Sequence, residues 1–421
     1  MKKTILIILF SMVGMVGFSQ ISLDYCLEKS RENYPNYANS KLYEEIANLS
    51  NKSMNTGYLP QLSMTGNIST QTDVTRIDID FPMPMSLDLP TMPREQYALT
   101  LEFWQVIWDG GYIDAMKKEN MAKMETNKAE LEVELYTIRE NIANIYFGIL
   151  GIKERKLQSQ VIRNEINRNI EQIKAFIDNG LATQSDLDLI NVEGITLSQR
   201  IEELDIAEKA YLNILSYFMG ETIGQDAVFE ESSLSINEEG SIENRPEIMA
   251  MESQINLLNT KKNTLKYASI PKLIGFAQGG YGKPHLNMFS ENPDFFAKVG
   301  LKLDWDIASL YSFKNNKKII DANKSLVMAN RAGFELGLKT KREEYLADIA
   351  KHKSLLDADI KIIELRERIK NTSDYRLENG EISTSDYIKD VNAYDLANQK
   401  MVLHKVELMM AVFRYNNLIN K

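Results

Sequence analysis

Asp186 and Asp386 stand at the same place in a nine-residue stretch that the chain writes twice. The first copy is Asn179-Gly180-Leu181-Ala182-Thr183-Gln184-Ser185-Asp186-Leu187. The second is Asn379-Gly380-Glu381-Ile382-Ser383-Thr384-Ser385-Asp386-Tyr387. The chemistry open to these two carboxylates is electrostatic, because an acid in the first turn of a helix is stabilised by the free N–H groups there. Bond-making chemistry is poorly supplied. His285, His352 and His404 are scattered without ligand-like spacing, so no histidine-based metal site and no cofactor is expected. There is no Gly-x-Ser-x-Gly and no plausible Cys/His pair, and acidic pairs on helices are too common to mark a glycosidase. The chain is not expected to be an enzyme. A hydrolase of envelope components is the least supported of the alternatives.

The elements that must position the twin stretch are helices. Gly180 and Gly380 have the place of C′ residues that end a helix in the left-handed region. Thr183 and Ser383 have the place of N-caps that restart one. Both copies are therefore expected to be tips of helical hairpins, and their equal spacing points to an internal duplication. Before the first tip, Leu131, Leu135, Ile138, Ile142, Ile145, Ile149 and Ile152 step by four and three, which predicts one long helix over 112–178 with coiled-coil packing. A second long helix is predicted over 309–378, through Phe334, Leu338, Tyr345, Ile349, Leu356 and Ile363. Shorter helices are expected over 21–57, 185–219, 246–267 and 385–417.

Two segments in each half change to a two-residue period. Leu62, Met64, Gly66 and Ile68 alternate with Ser63, Thr65 and Asn67, and Tyr97, Leu99, Leu101 and Phe103 with Ala98, Thr100 and Glu102. Val299, Leu301, Leu303, Trp305 and Ile307 alternate with Lys298, Lys302, Asp304 and Asp306. Strands are expected at about 59–81, 96–107, 270–282 and 295–307. The proline-rich stretches between them form loops at 71–95 and 283–293. Leu101 and Leu301, Phe103 and Leu303 keep the offset seen at the tips. The expected organisation is a first repeat over 20–219 with its tip at 179–184, a connector over 220–243, and a second repeat over 244–421 with its tip at 379–384.

Bulk properties agree with a large folded chain. It has 421 residues, 44% hydrophobic and 26% charged, with net charge −10, which argues against nucleic acid as a partner. Residues 1–19 read as a signal peptide: Lys2-Lys3, an apolar run from Ile5 to Val16, and small residues at Gly17 and Ser19. The lone Cys26 is preceded by Asp24-Tyr25, a poor context for lipid attachment. No later apolar run reaches the ~18–20 residues of a spanning helix. A membrane-inserted mature chain would have to use strands, and four are too few to close a barrel, since membrane barrels begin at about eight. Several copies would have to share one, because lipid does not tolerate open sheet edges. A soluble sheet attached to a coiled coil shows the same periodicities.

The chain resembles TolC-type outer-membrane efflux proteins. The residues that carry the likeness are Leu59-Pro60-Gln61-Leu62 and Ile270-Pro271-Lys272-Leu273 at the strand hairpins, Trp108-Asp109-Gly110-Gly111, Asn244-Arg245-Pro246-Glu247-Ile248, and the two tips. Together they cover essentially all of the mature chain. The resemblance implies a mainly α fold with a small β part. Duplicated helical hairpins would form a periplasmic α-barrel, and four strands per protomer would join a trimeric twelve-stranded outer-membrane β-barrel. It implies a homotrimer in outer-membrane lipid, a periplasmic adaptor and an inner-membrane pump as partners, and passive export. The alternative is a periplasmic coiled-coil scaffold that never enters the membrane.

At the gate, Asp386 matches an aspartate that rings the channel constriction in the family, and Asp186 matches an inter-helix contact. A ring of three carboxylates in a narrow pore favours cations. Gly180, Leu181, Ala182, Thr183, Gly380, Ile382, Ser383 and Thr384 are the implied adaptor contacts. Three positions depart from the family. Leu377 and Ile382 stand where a tyrosine and an arginine tie the tips shut, and Lys389, beside Asp390, replaces a second gate aspartate.

Overall fold

A computed structural model describes residues 20–75, 91–231, 235–237 and 240–419. The expected signal peptide, and the part of the first strand and loop at 76–90, lie outside the described residues. The chain runs through helix α1 (Leu23–Asn33), helix α2 (Asn39–Asn55), strand β1 (Gln61–Thr70), strand β2 (Glu95–Trp108), helix α3 (Tyr112–Asp178) and helix α4 (Gln184–Met219). It continues with helix α5 (Pro246–Ala268), strand β3 (Lys272–Lys283), strand β4 (Asp294–Asp304), helix α6 (Ser309–Glu378) and helix α7 (Thr384–Leu418). From α2 onward the element order of the first half recurs in the second, beginning at α5. At about 1.5 Å per residue, the 67 residues of α3 and the 70 of α6 each make a helix of about 100 Å. No described helix is long and apolar enough to cross a membrane.

Three boundaries differ from those expected, each for a local reason. The segment over 21–57 is two helices. Pro35 has no N–H to continue α1 and opens a 3₁₀ turn at Pro35–Ala38. Ser22 does cap α1, accepting the Tyr25 N–H at 3.2 Å. β1 stops at Thr70, and residues 71–75 are irregular rather than strand. β4 stops at Asp304, so Trp305 and Ile307 are not strand residues. Asp306 accepts the Ser309 N–H at 3.2 Å, and the Leu310 and Tyr311 N–H groups close turns that start α6. In the same way Asp109, 4% exposed, starts α3 by accepting the Gly111 and Ile113 N–H groups at 2.9 and 2.7 Å, with the Tyr58 hydroxyl at 3.1 Å.

The contacts divide the chain into two compact units, and each sequence repeat supplies part of both. One comprises 39–130 and 249–331, the other 20–38, 131–248 and 332–419 among the described residues. The first of these holds the sheet, antiparallel throughout, in the order β1-β2-β3-β4. Its register aligns the alternation of all four strands. Leu62, Phe103, Ala277 and Val299 form one cross-strand row; Met64, Leu101, Gly279 and Ala297 form the next; Gly66, Leu99, Tyr281 and Phe295 form a third. All point to one face. Between them on the other face runs the row Ser63, Glu102, Gln278 and Lys298.

In the second unit, Leu131, Leu135, Ile138, Ile142 and Ile149 of the predicted stripe are buried, Ile142 and Ile149 completely. Burying such a side chain is worth about 1.5–3 kcal/mol. Tyr146 packs edge-on against Phe147 and Phe229, with ring centroids 5.6 and 5.4 Å away. The connector, acidic and irregular in sequence, is tied down here. Ile21 forms a parallel bridge with Phe229, and the Tyr146 hydroxyl oxygen lies 2.8 Å from both the Ile21 and Glu230 carbonyls. Cys26 is fully buried, and burial pushes its thiol up to about 12, so it stays a protonated packing group. A second core joins Leu338 and Ile349 of α6 to Ala411, Val412, Tyr415 and Leu418 of α7.

Candidate functional site

The two tips are built by the same hydrogen bonds. After α3, the Gly180 N–H reaches the Ile177 carbonyl at 2.9 Å and the Leu181 N–H the Phe176 carbonyl at 2.8 Å. After α6, Gly380 reaches Leu377 at 3.0 Å and Glu381 reaches Arg376 at 2.8 Å. This is a Schellman ending, and it needs a left-handed residue at C′. Gly180 and Gly380 supply it, with φ of 73° and 68°. Asn179 and Asn379 each donate to the carbonyl four residues back, both at 2.8 Å. The restart is equally alike. Thr183 accepts the Asp186 N–H at 3.3 Å and Ser383 the Asp386 N–H at 3.1 Å, while each hydroxyl donates to its aspartate, at 2.6 and 2.8 Å. The first copy closes a capping box through the Thr183 N–H to Asp186 at 3.0 Å.

Both aspartates therefore do the N-terminal work expected of first-turn acids. The Thr183 hydroxyl and then the Thr183 N–H hold the Asp186 carboxyl below the usual carboxylate range; burial opposes them, and the Thr384 hydroxyl adds a smaller lowering. A depressed native value means that the cap's contribution is complete above the unfolded carboxylate value, about 3.9, and is lost as pH falls through the native one. Asp386 is exposed.

The remaining tip residues divide by burial. Gly180, Leu181, Thr183, Gly380 and Ser383 are exposed, Leu181 to 75%. Ala182 and Ile382 are half-buried and pack on an apolar cluster of Ile173, Ile190, Leu377, Tyr387 and Val391. Thr384 is 4% exposed, so within the protomer it is a packing residue. Leu377 belongs to this cluster and Ile382 packs against it, so both make apolar contacts inside the chain. Lys389 is exposed, and Asp390 accepts the Ser373 hydroxyl.

Beneath the cluster lies a polar network that the sequence reading did not identify. Lys370 of α6 pairs with Glu165 of α3 at 2.8 Å, with side chains 12% and 9% exposed. Asn169 of α3 donates to Asp374 of α6 at 3.2 Å and to the Tyr387 hydroxyl of α7. That hydroxyl donates to Glu165 at 3.4 Å. Burial, reinforced by Glu165 and Asp374, pushes the Tyr387 phenol far up, so it remains a proton donor. Further along, Arg200 of α4 pairs with Asp395 of α7, and Asn392 donates to Glu193 at 3.2 Å. The visible signal was polar residues four apart, 165/169 among the buried Ile162, Ile166 and Ile173 of one helix and 370/374 on the other.

The sheet is the other candidate site. Its apolar face is uncovered: Ile68 is 90% exposed, Val299 83% and Phe295 80%. Neither β1 nor β4 has a second partner strand, so the sheet has two open edges among the described residues.

No family model matches the sequence, and no curated protein does. Solved structures do. CusC, described in terms of transmembrane channel formation, matches with a TM-score of 0.71 at 10% identity, over 94% of this chain and 91% of its own. The outer-membrane channel OprN matches at 0.69 and 13%, over 94% and 89%. The outer membrane protein VceC of Vibrio cholerae matches at 0.67 and 12%, over 94% and 95%. At such identities the likeness speaks for the fold. The chain has, over nearly its whole length, the fold of TolC-type outer-membrane channel protomers.

Proposed function

We propose that the protein is the passive outer-membrane duct of an efflux or type I secretion machine. It would act as a homotrimer that receives cargo from a periplasmic adaptor and an inner-membrane pump. The observation that carries this reading is the two-faced sheet. Strands of 10, 14, 12 and 11 residues meet or exceed the 9–11 needed to cross a bilayer when tilted. Their in-register apolar face suits lipid, and their polar face suits water. Open edges are incompatible with lipid unless other copies pair with them. Three copies of four strands close one twelve-stranded barrel. Exposed Ile360, Leu365 and Tyr375 on α6 are further apolar surface for neighbouring copies to cover.

Membrane fractionation with a urea wash tests this reading. The duct stays in the outer-membrane fraction; a protein released by urea is the periplasmic scaffold instead.

Asp386, exposed at the tip, is proposed to ring the constriction, with Asp186 bracing the helix beside it. Asp386→Ala is expected to weaken block of single-channel current by multivalent cations. Unchanged block would remove Asp386 from the pore. The exposed tip residues Gly180, Leu181, Thr183, Gly380 and Ser383 are proposed to meet the adaptor, with Ala182, Ile382 and Thr384 supporting them from inside. Gly380→Pro imposes a negative φ where 68° is needed and removes the N–H bonded to Leu377. It and Gly180→Pro are expected to impair export while trimers remain in the membrane. Normal export by both variants would count against the tips as the docking end.

A further inference from the structure

The polar face of the sheet holds aromatic rings that a water-lined surface does not require. Trp104, Phe276 and Gly300 share one cross-strand row; Thr100, Gly280 and Phe296 share another. Each phenylalanine leans across the strand pair onto a glycine. A Cβ at Gly300 would lie 2.9 Å from the Phe276 Cζ, and one at Gly280 would lie 2.7 Å from the Phe296 Cζ. A ring laid along the sheet in this way turns a face to the open side. Between the two rows stands Lys298, opposite Gln278. Its ammonium lies 5.8 Å from the Phe276 ring centre, and it has no carboxylate partner among the described residues. Glu102, the nearest acid in that row, is two strands away, about 10 Å.

We propose that this face is a binding station for planar aromatic anions in transit, with Phe276 and Phe296 as stacking platforms and Lys298 as the charge that holds the anionic group. The station rests on the reading of the sheet as a barrel wall, since only there does its polar face line a lumen. Charge complementarity selects the occupant. An unpaired ammonium beside ring faces favours a solute that is both planar and negative, whereas Glu102 lies too far to neutralise Lys298 and close enough to disfavour a long polyanion. Support of strand glycines by aromatic rings is a structural use of the same geometry, and the test separates the two.

The test uses the full-length trimer reconstituted in planar bilayers, with 1-naphthoate as probe and acetate as control. Open-channel current is expected to be blocked by 1-naphthoate at concentrations where acetate has no effect. Lys298→Gln is expected to weaken that block about tenfold, and Phe276→Leu at least about fivefold. Lys298 is exposed, so its variant keeps the test informative even where Phe276→Leu lowers trimer melting. Block by 1-naphthoate no stronger than by acetate, or block unchanged in Lys298→Gln, overturns the station while leaving the channel reading intact. Absence of any channel current overturns both.

Discussion

Val299→Arg is expected to abolish stable trimers in the outer membrane, while Ser63→Arg leaves them in place. Both positions are exposed in the protomer, and their rows are adjacent in the sheet. They differ in face. Val299 lies at the centre of β4 in the row with Leu62, Phe103 and Ala277, whereas Ser63 lies in the row with Glu102, Gln278 and Lys298. A cation on the lipid face near mid-bilayer costs about 2–4 kcal/mol. Repeated in three chains, that approaches the whole stability of an ordinary domain. On a wet lumen face the same charge would cost little, and Ser63 shares its row with the exposed Lys298. Outer-membrane fractions run on unheated gels provide the measurement. Equal assembly of both variants would mean that the apolar face does not meet lipid.

The tip gives the second large effect. Lys370→Met leaves Glu165 buried, 7% exposed, without its cation. Removing one member of a buried ion pair costs about 3–5 kcal/mol, mostly because the other charge stays desolvated. The consequence reaches Tyr387 and Asn169, which share the network and join α7 and α3 to α6. Limited proteolysis is expected to cut the tip of the single variant far faster than that of the native protein. Glu165→Leu combined with Lys370→Met should recover most of the loss, because an apolar replacement of both partners is often neutral. A double variant as labile as the single one would show that the pair does not act as a unit.

Much of this architecture is legible in the sequence, for physical reasons that differ by element. The bounds of α3 and α6 follow from heptad stripes and from glycines placed where a left-handed C′ residue must end each helix. The caps at Thr183 and Ser383 are local side-chain chemistry, so two copies of the motif fold alike. What escaped is non-local. Pro35 reads as a helix breaker on its own, but the amphipathic pattern on either side hid it. The end of β4 depended on Asp306 caring for the N-terminus of α6, a competition that alternation cannot display. The Glu165–Lys370–Tyr387 network joins α3 to α6 and α7, more than two hundred residues away in the chain, and nothing in either stripe announces its partner. The same holds for the sheet. Alternation assigned faces strand by strand, whereas the alignment of those faces into one apolar surface is a property of the register.

That surface leads to the most direct measurement. If copies close a barrel, β4 of one protomer pairs with β1 of the next, and the apolar face must continue across the seam. Val299 must then lie beside one of Leu62, Met64, Gly66 or Ile68. Within a chain β1 and β4 are three strand spacings apart, about 14 Å, well beyond the roughly 4.4–6.8 Å that a disulfide spans. Any bond between them is therefore intermolecular, and the buried Cys26 does not compete. Val299→Cys is combined in turn with cysteine at each of the four β1 positions, in the full chain in its own membrane. One combination is expected to give, on oxidation, a covalent species of three chains that reduction returns to monomer. Val299→Cys with Ser63→Cys or Thr65→Cys, on the other face, is the control: cross-links only in those controls, products that stop at two chains, or no cross-link from any of the four would contradict the shared barrel.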